Sequence, residues 1–353
     1  MYSAKTYDSA KHASKYAVNI PEVSFDLPKI IARKSKVVRK LVLGVKAKLT
    51  ANNVTIVSGE AQVIDKNTVR CGEETYEGEN LILCTGSETF IPPIPGVDAV
   101  NYWTHRDALD SKELPASLAI VGGGVIGMEF ASFFNSLGVQ VTVVEMMDEI
   151  LGGMDKELSA LLRAEYAKRG IKFLLSTKVV GLSQTEEGAV VSYENAEGNG
   201  SVIAEKLLMS VGRRPVTKGF GLENLNLEKT ERGAIRVNEK MQTSVPGVYV
   251  CGDLTGFSLL AHTAVREAEV AVHSILGKED AMSYRAIPGV VYTNPETLSH
   301  ATTFPIPLPY VRPNHGSWHN APPHDGRDIA LCQSGHYLPR GQRNSSSRHN
   351  SSK

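Results

Sequence analysis

Nothing in this sequence places two cysteines within a few residues of each other. Cys71, Cys84, Cys251 and Cys332 are scattered along 353 residues. With no C-x-x-C or other close pair, spacing supports neither a metal cluster nor a redox motif. The first three sit in or beside apolar, strand-like runs, where buried and inert thiols are expected. An excess of one charge is also missing. Lys and Arg number 38 and Asp and Glu number 38, which implies neither a nucleic-acid surface nor an acidic tail. No run approaches the roughly 18 apolar residues of a membrane span, and the first residues lack the apolar core of a secretory signal. The expectation is a cytoplasmic protein with no nucleic-acid and no membrane partner, long enough for two or three domains.

One local charge excess exists, between Lys29 and Lys48, with eight basic residues and no acidic one. Its apolar residues recur at roughly helical intervals, with Asp26 as a cap and Pro28 at the start, and the basic residues read as a solvated helix face. Residues 1 to about 50 are helical on this reading. The stretch "VTIVSGEAQVIDKNTVRCGEETYEGENLILCTGS" then breaks into short strands separated by turn residues, a β-meander closing into a core strand.

After the proline-rich connector "IPPIPGVD" comes "SLAIVGGGVIGMEFASFFNSLGVQVTVVE", residues 117 to 145. An apolar strand runs to Val121, Gly122, Gly124 and Gly127 supply G-x-G-x-x-G, and Val125 to Leu137 repeats apolar residues at helical spacing. The first glycine permits a tight turn. The second lets backbone approach a pyrophosphate, and the third lets the helix pack against the strand with its N–H groups facing phosphate. Gly138 stops the helix, and a second strand, Val139 to Val144, ends in Glu145, 23 positions after Gly122. A carboxylate near that spacing accepts from a ribose 2′-OH and repels a 2′-phosphate. NAD is therefore expected over NADP.

A helix over Lys156 to Arg169 and strands at 171–175, 189–194 and 202–211 complete a nucleotide domain at 116–235. "GVYVCGDLTG" enters another turn, and "HTAVREAEVAVHSILG" is a helix ended by Gly277. From 297 to 353 the chain holds seven of its seventeen prolines, six of its ten histidines and two acids. Without apolar periodicity to offset ordering entropy, that tail is expected to be disordered, and its irregular histidines frame no metal site.

The motifs together resemble those of the flavoprotein disulfide reductases. They are "GGGVIGME" with Glu145, "EILGGMDKEL", "SVGRRP", "ILCTGS", "VYVCGDLTG", "LLAHTA" and "VVYTNPE", spread over residues 1 to about 296. "ILGGMD" tilts the resemblance toward the branch acting on dihydrolipoamide. The fold it implies is α/β with two dinucleotide-binding domains. An incomplete FAD domain with β-meander (1–115, resumed at 236–285) flanks a complete Rossmann-like NAD domain (116–235), and an interface domain starts at 286–296.

By resemblance, NAD is held by Gly122, Gly123, Gly124, Val125, Ile126, Gly127, Met128, Glu129 and Glu145, with Val180 and Gly212 lining its two ends. FAD is contacted by Thr85, Gly86, Ser87, Asp253, Leu259, Leu260, Ala261 and His262, with Asp253 accepting from ribityl hydroxyls and Ala61 presenting backbone to adenine. The partners implied are dihydrolipoamide, on the lipoyl domain of a 2-oxo acid dehydrogenase or glycine cleavage complex, and a second copy of the chain. The family's first G-x-G-x-x-G, its C-x-x-x-x-C pair and its catalytic His-Glu pair match no residues here, so no catalytic residue is assigned. "MYSAKTYDSA" resembles the continuation of the helix that carries the redox pair, and "TLSHATTFPIPLPYVRPNHG" resembles out-of-frame translation. The expectation is a fragment of such an enzyme. A non-catalytic NAD/FAD-binding remnant, or another member such as an NADH oxidase, remain alternatives.

Overall fold

The computed structural model describes residues 1–300 and the short strand Ala330–Cys332. The chain opens with α1 (Tyr2–Lys11) and the long α2 (Leu27–Ala51). As the sequence predicts, Asp26 caps α2 by accepting from Lys29 N at 2.9 Å, and Pro28 sits in its first turn. Only Leu27 of its 25 residues is buried, while Val37, Val38, Leu41, Val42 and Val45 are exposed. The basic residues face solvent as expected, and the helix presents an apolar face there as well.

The meander is formed by β1 (Ala61–Val63), β2 (Thr68–Cys71) and β3 (Glu74–Glu77), all antiparallel. "VTIV" at 54–57, read as strand, is irregular and largely exposed. No described segment pairs with it, and an unpaired β-run has no ladder to hold it. β4 (Leu81–Leu83) and β5 (Ser87–Thr89) follow.

A five-stranded parallel sheet forms the next unit. β6 (Tyr102–Trp103), α3 (His105–Asp110), β7 (Ser117–Val121), α4 (Val125–Ser136), β8 (Gln140–Val144), α5 (Lys156–Lys168) and β9 (Lys172–Leu174) come in turn. An antiparallel three-stranded sheet, β10 (Lys178–Thr185), β11 (Gly188–Asn195) and β12 (Gly198–Ala204), then crosses back to β13 (Lys206–Met209). The strand order is β6-β13-β7-β8-β9. Leu118, Ile120, Met128, Phe134, Val143 and Leu162 pack on one face, and Ala119, Val121, Val191, Leu207 and Met209 on the other. Both faces being covered explains why the strands read as continuous apolar runs.

Two strand expectations are corrected here. Residues 202–211 are two strands, because the chain leaves the antiparallel sheet after Ala204 and enters the parallel one at Lys206. β10 was not read at all, since its alternation is broken at Gly181, where the register with β11 shifts.

Residues before 116 join this unit, through β6 and through Ile91, Ile94 and Val97. Residues after 216 pack elsewhere. Leu222, Leu225, Leu227 and Ile235 share a core with Val63, Leu83 and β15 (Val248–Val250). β14 (Arg213–Pro215) pairs with β5, and β15 runs parallel to β4. α6 (Ala261–Ile275) closes this second unit, which is assembled from two separated parts of the chain. β16 (Pro288–Val291) and β17 (Glu296–His300) return to pack on the first unit, where Tyr166 Oη lies 3.0 Å from Asn294 O. The tail expected to be disordered from 297 is therefore ordered at its start, because Thr297 to His300 pair with β16. Its remainder lies outside the described residues, apart from Ala330–Cys332, which pairs with β17.

Candidate functional site

The parallel sheet has one topological switch point. From β7 the chain moves outward through β8 and β9, then returns to the other side of β7 with β13. Ligands of open α/β sheets bind beyond the carboxyl ends of the strands at such a point. Gly122 stands there with φ +106°, and a Cβ on it would lie 2.3 Å from Ser210 O at the end of β13. The two flanking loops therefore touch.

The other two motif glycines have different physical reasons. A Cβ on Gly127 would meet Gly122 O at 2.1 Å, so the helix can sit this close to its turn only without a side chain. Gly124, the N-cap of α4, has nothing within 4 Å of its Cβ position and an ordinary φ of −70°. Its missing side chain serves nothing inside the chain. It leaves open the approach to the helix N-terminus, where backbone N–H groups and the helix dipole favour an anion.

Glu145 ends β8 beside this opening. Its Oε2 accepts from Gly123 N at 2.6 Å and its Oε1 from Met147 N at 2.8 Å. Its backbone carbonyl accepts from Thr177 N, which brings the start of β10, and with it Val180, to the same end of the sheet. Gly212, at φ +119° with nothing near its Cβ position, follows β13 on the opposite side. Val125 is exposed and Ile126 half-buried, whereas Met128 is wholly buried in the core and offers the crevice only backbone. Glu129 turns elsewhere, since its Oε1 accepts from Tyr292 N at 2.9 Å, and burial pushes its carboxyl up from the ordinary range.

A second cluster lies at the carboxyl ends of β4 and β15. "CTGS" leaves one strand and "CGDLTG" leaves its parallel neighbour, so Cys84 to Ser87 and Cys251 to Asp253 meet. Ser87 Oγ donates to Asp253 Oδ2 at 2.5 Å, and Arg213 Nε donates to Ser87 Oγ at 2.7 Å. Thr85 Oγ1 donates to Val216 O, and Gly86 takes φ +70°. Leu259 and Leu260 lead into α6, at whose exposed first turn Ala261 and His262 stand. Ala61 opens β1 on the meander, exposed, beside an approximately 810 Å³ hollow lined by Gly59, Glu60, Gln62 and Arg70.

Two features escaped the sequence reading. Glu267, on the buried side of α6, reaches under the 252–255 turn, where its Oε2 accepts from Gly252 N at 2.5 Å and its Oε1 from Tyr284 Oη at 2.7 Å. Desolvation by burial raises its carboxyl above the usual range. The cysteines also differ from expectation. Of the three cysteines whose side chains are described, only Cys251 is buried, while Cys71 is half-buried and Cys84 is exposed. Cys84 and Cys251 are brought together by strand pairing, which no spacing in the sequence could show.

Residues 2–268, spanning both clusters, match the family of pyridine nucleotide-disulphide oxidoreductases. The chain belongs to that family. Within it, the chain is 36% identical over 298 residues to dihydrolipoyl dehydrogenase of Geobacillus stearothermophilus, covering 83% of this chain and 63% of that protein. It is 34% identical to mitochondrial dihydrolipoyl dehydrogenase 1 of Arabidopsis thaliana over 86% of this chain and 61% of the relative. The chain thus spans under two thirds of the length of these relatives. Among solved structures, LpdA from Mycobacterium tuberculosis superposes with a TM-score of 0.77 at 25% identity, covering 85% of this chain and 66% of that one. The HOCl-induced flavoprotein disulfide reductase RclA of Escherichia coli gives 0.72 at 26% identity, covering 84% and 67%. The α/β, Rossmann-like fold expected from the sequence is the fold of this family, and FAD and NAD are the cofactors of dihydrolipoyl dehydrogenases. Among the described residues, no helix is long and apolar enough to cross a membrane.

Proposed function

We propose that this chain carries the nucleotide-binding parts of a dihydrolipoyl dehydrogenase, binding NAD at the switch point of its parallel sheet. The observation that carries this reading is the contrast between Gly127, whose missing side chain the fold itself requires, and Gly124, whose missing side chain only a ligand would use. Gly122, Gly123 and the first turn of α4 hold the pyrophosphate, Glu145 accepts from the adenosine ribose, and Val180 and Gly212 flank the two ends. We place FAD against Thr85, Gly86, Ser87, Asp253 and the 259–262 segment, with the meander around Ala61 toward the adenine. These residues fit one side of a flavin, because Asp253 is aimed across two strand ends and held there by Ser87 and Arg213. The nucleotide unit in this assignment follows the packing, from about 91 to 211, and 286–296 begins the interface region.

The reaction of the parent enzyme is electron transfer from dihydrolipoamide, on a lipoyl domain, to NAD. FAD supplies the two-electron relay when bound. The residues of this chain bind and orient the cofactors in that scheme. None of its four cysteines forms the C-x-x-x-x-C pair that would meet the substrate, and no residue is placed as the His-Glu acid/base pair. The chain is accordingly assigned binding without turnover, with a homodimer, a lipoyl-bearing partner and a cytoplasmic location belonging to the parent. Calorimetric titration of the full chain with NAD tests the reading. Saturable one-site binding is expected, and absence of binding by folded protein would overturn it.

A further inference from the structure

β4 and β15 run parallel in a register that sets Leu83 opposite Val250, and Cys251 N still donates to Leu83 O at 3.1 Å one residue beyond. The next pair in that register is Cys84 and Cys251, and paired residues of neighbouring strands point to the same side of the sheet. Adjacent strands lie about 4.7–4.9 Å apart, within the roughly 4.4–6.8 Å of Cα separation that a disulfide bridges. Both cysteines are free thiols, and they differ in access, with Cys84 exposed and Cys251 only 2% exposed. We infer that Cys84 and Cys251 are a peroxide-sensitive dithiol, in which Cys84 attacks the oxidant and Cys251 resolves the product as an intramolecular disulfide.

The electrostatics put the thiolate on the accessible sulfur. A hydrogen bond from the Cys251 thiol draws the Cys84 thiol down to about 7, while the same contact, together with burial, pushes Cys251 up. The thiolate is the nucleophile, so an exposed sulfur with a lowered pKa and a protonated neighbour behind it is placed for a two-step oxidation. In the first step the Cys84 thiolate attacks one oxygen of hydrogen peroxide. The O–O bond breaks, leaving Cys84 sulfenic acid and a hydroxide that takes up a proton as water. In the second, Cys251 sulfur attacks Cys84 sulfur, the S–O bond breaks, and the hydroxyl leaves with the Cys251 proton as a second water. Two thiols and one peroxide give one disulfide and two waters, with two electrons passing from sulfur to oxygen. The bond would tie together the two turns that carry Ser87 and Asp253. The inference needs only the strand pair and stands whether or not the chain binds NAD or FAD.

The test is a peptide map of the full chain, treated with hydrogen peroxide at neutral pH, alkylated, and digested without reductant. A Cys84–Cys251 crosslinked peptide is expected, with Cys84 consumed roughly tenfold faster than the half-buried Cys71, whose thiol is the internal reference. Cys251→Ser should halt the reaction at a Cys84 sulfenic acid captured by dimedone, and Cys84→Ser should leave Cys251 unreacted. Consumption of Cys84 no faster than Cys71, or oxidation of Cys84 in the unaltered chain without a crosslink to Cys251, would overturn the inference. The map of the unaltered chain decides the matter even where a variant does not fold.

Discussion

Gly123 N donates to Glu145 Oε2 at 2.6 Å, so the carboxylate that ends one strand is tied to the turn that ends its neighbour. Each carboxylate oxygen can accept more than one hydrogen bond. Glu145 therefore shapes the glycine turn while keeping capacity for a ribose hydroxyl. The same carboxylate would face a 2′-phosphate as a like charge.

From this follows a preference for NAD over NADP. A hydrogen bond to a charged group contributes about 1.5–3 kcal/mol, roughly ten- to a hundredfold in affinity. Parallel titrations with the two nucleotides should show a gap of that size, and Glu145→Ala should narrow it. Equal binding of both by the unaltered chain contradicts the assigned role.

The motif glycines should separate by readout. Gly124→Val puts a side chain into open space at an unstrained φ, so NAD affinity should collapse while the thermal midpoint moves little. Gly127→Ala places a Cβ 2.1 Å from Gly122 O, so the midpoint itself should fall. If Gly124→Val retained full affinity, the pyrophosphate would have to bind elsewhere.

Dihydrolipoamide should not be oxidised by the 353-residue chain, because its sequence has no C-x-x-x-x-C pair to take electrons from a dithiol substrate. Flavin should be held weakly, by Asp253 and its neighbours on one side. Purified protein that stays yellow through gel filtration and reduces NAD with dihydrolipoamide would refute the assignment of binding without turnover.

Glu267 should give the chain a pH dependence of definite sign. Its carboxyl is raised above 4.5 in the folded state, so over the window from 4.5 up to the folded value the native chain holds more proton than the unfolded one. Stability from this group is then highest below that window and declines as pH rises through it. Glu267→Gln removes the titration. The urea midpoint of the variant should gain on the parent as pH rises above 4.5, and a difference that does not vary with pH would show that the folded and unfolded carboxyls titrate alike.

The parallel unit was legible because its signals are local. The turn at Gly122 and the helix stop at Gly138 each act within a few residues, as does the Asp26 cap of α2 outside that unit. What the sequence hid depends on pairing across distance. Glu267 lies on an apolar helical face like any core residue, and its purpose shows only when α6 is laid under the 252–255 turn. Cys84 and Cys251 look inert apart and become neighbours through one strand pair. The solvent exposure of the apolar face of α2 was not legible for a related reason, since periodicity reports that a helix has an apolar side and not what covers it.

Phe90 N donates to Gly212 O at 3.0 Å, where the parallel unit leaves and re-enters its host. In order of folding this contact sets a sequence of events. The inserted unit is continuous in the chain and can organise as soon as β13 has been synthesised. β4 must wait for β15, and the entropy of closing a loop grows with its length. Once the insert has folded, its two ends are pinned within one hydrogen bond, and the host closes across a short tether in place of more than a hundred loose residues. A lesion in the insert would therefore slow assembly of the host, although the two units have separate cores.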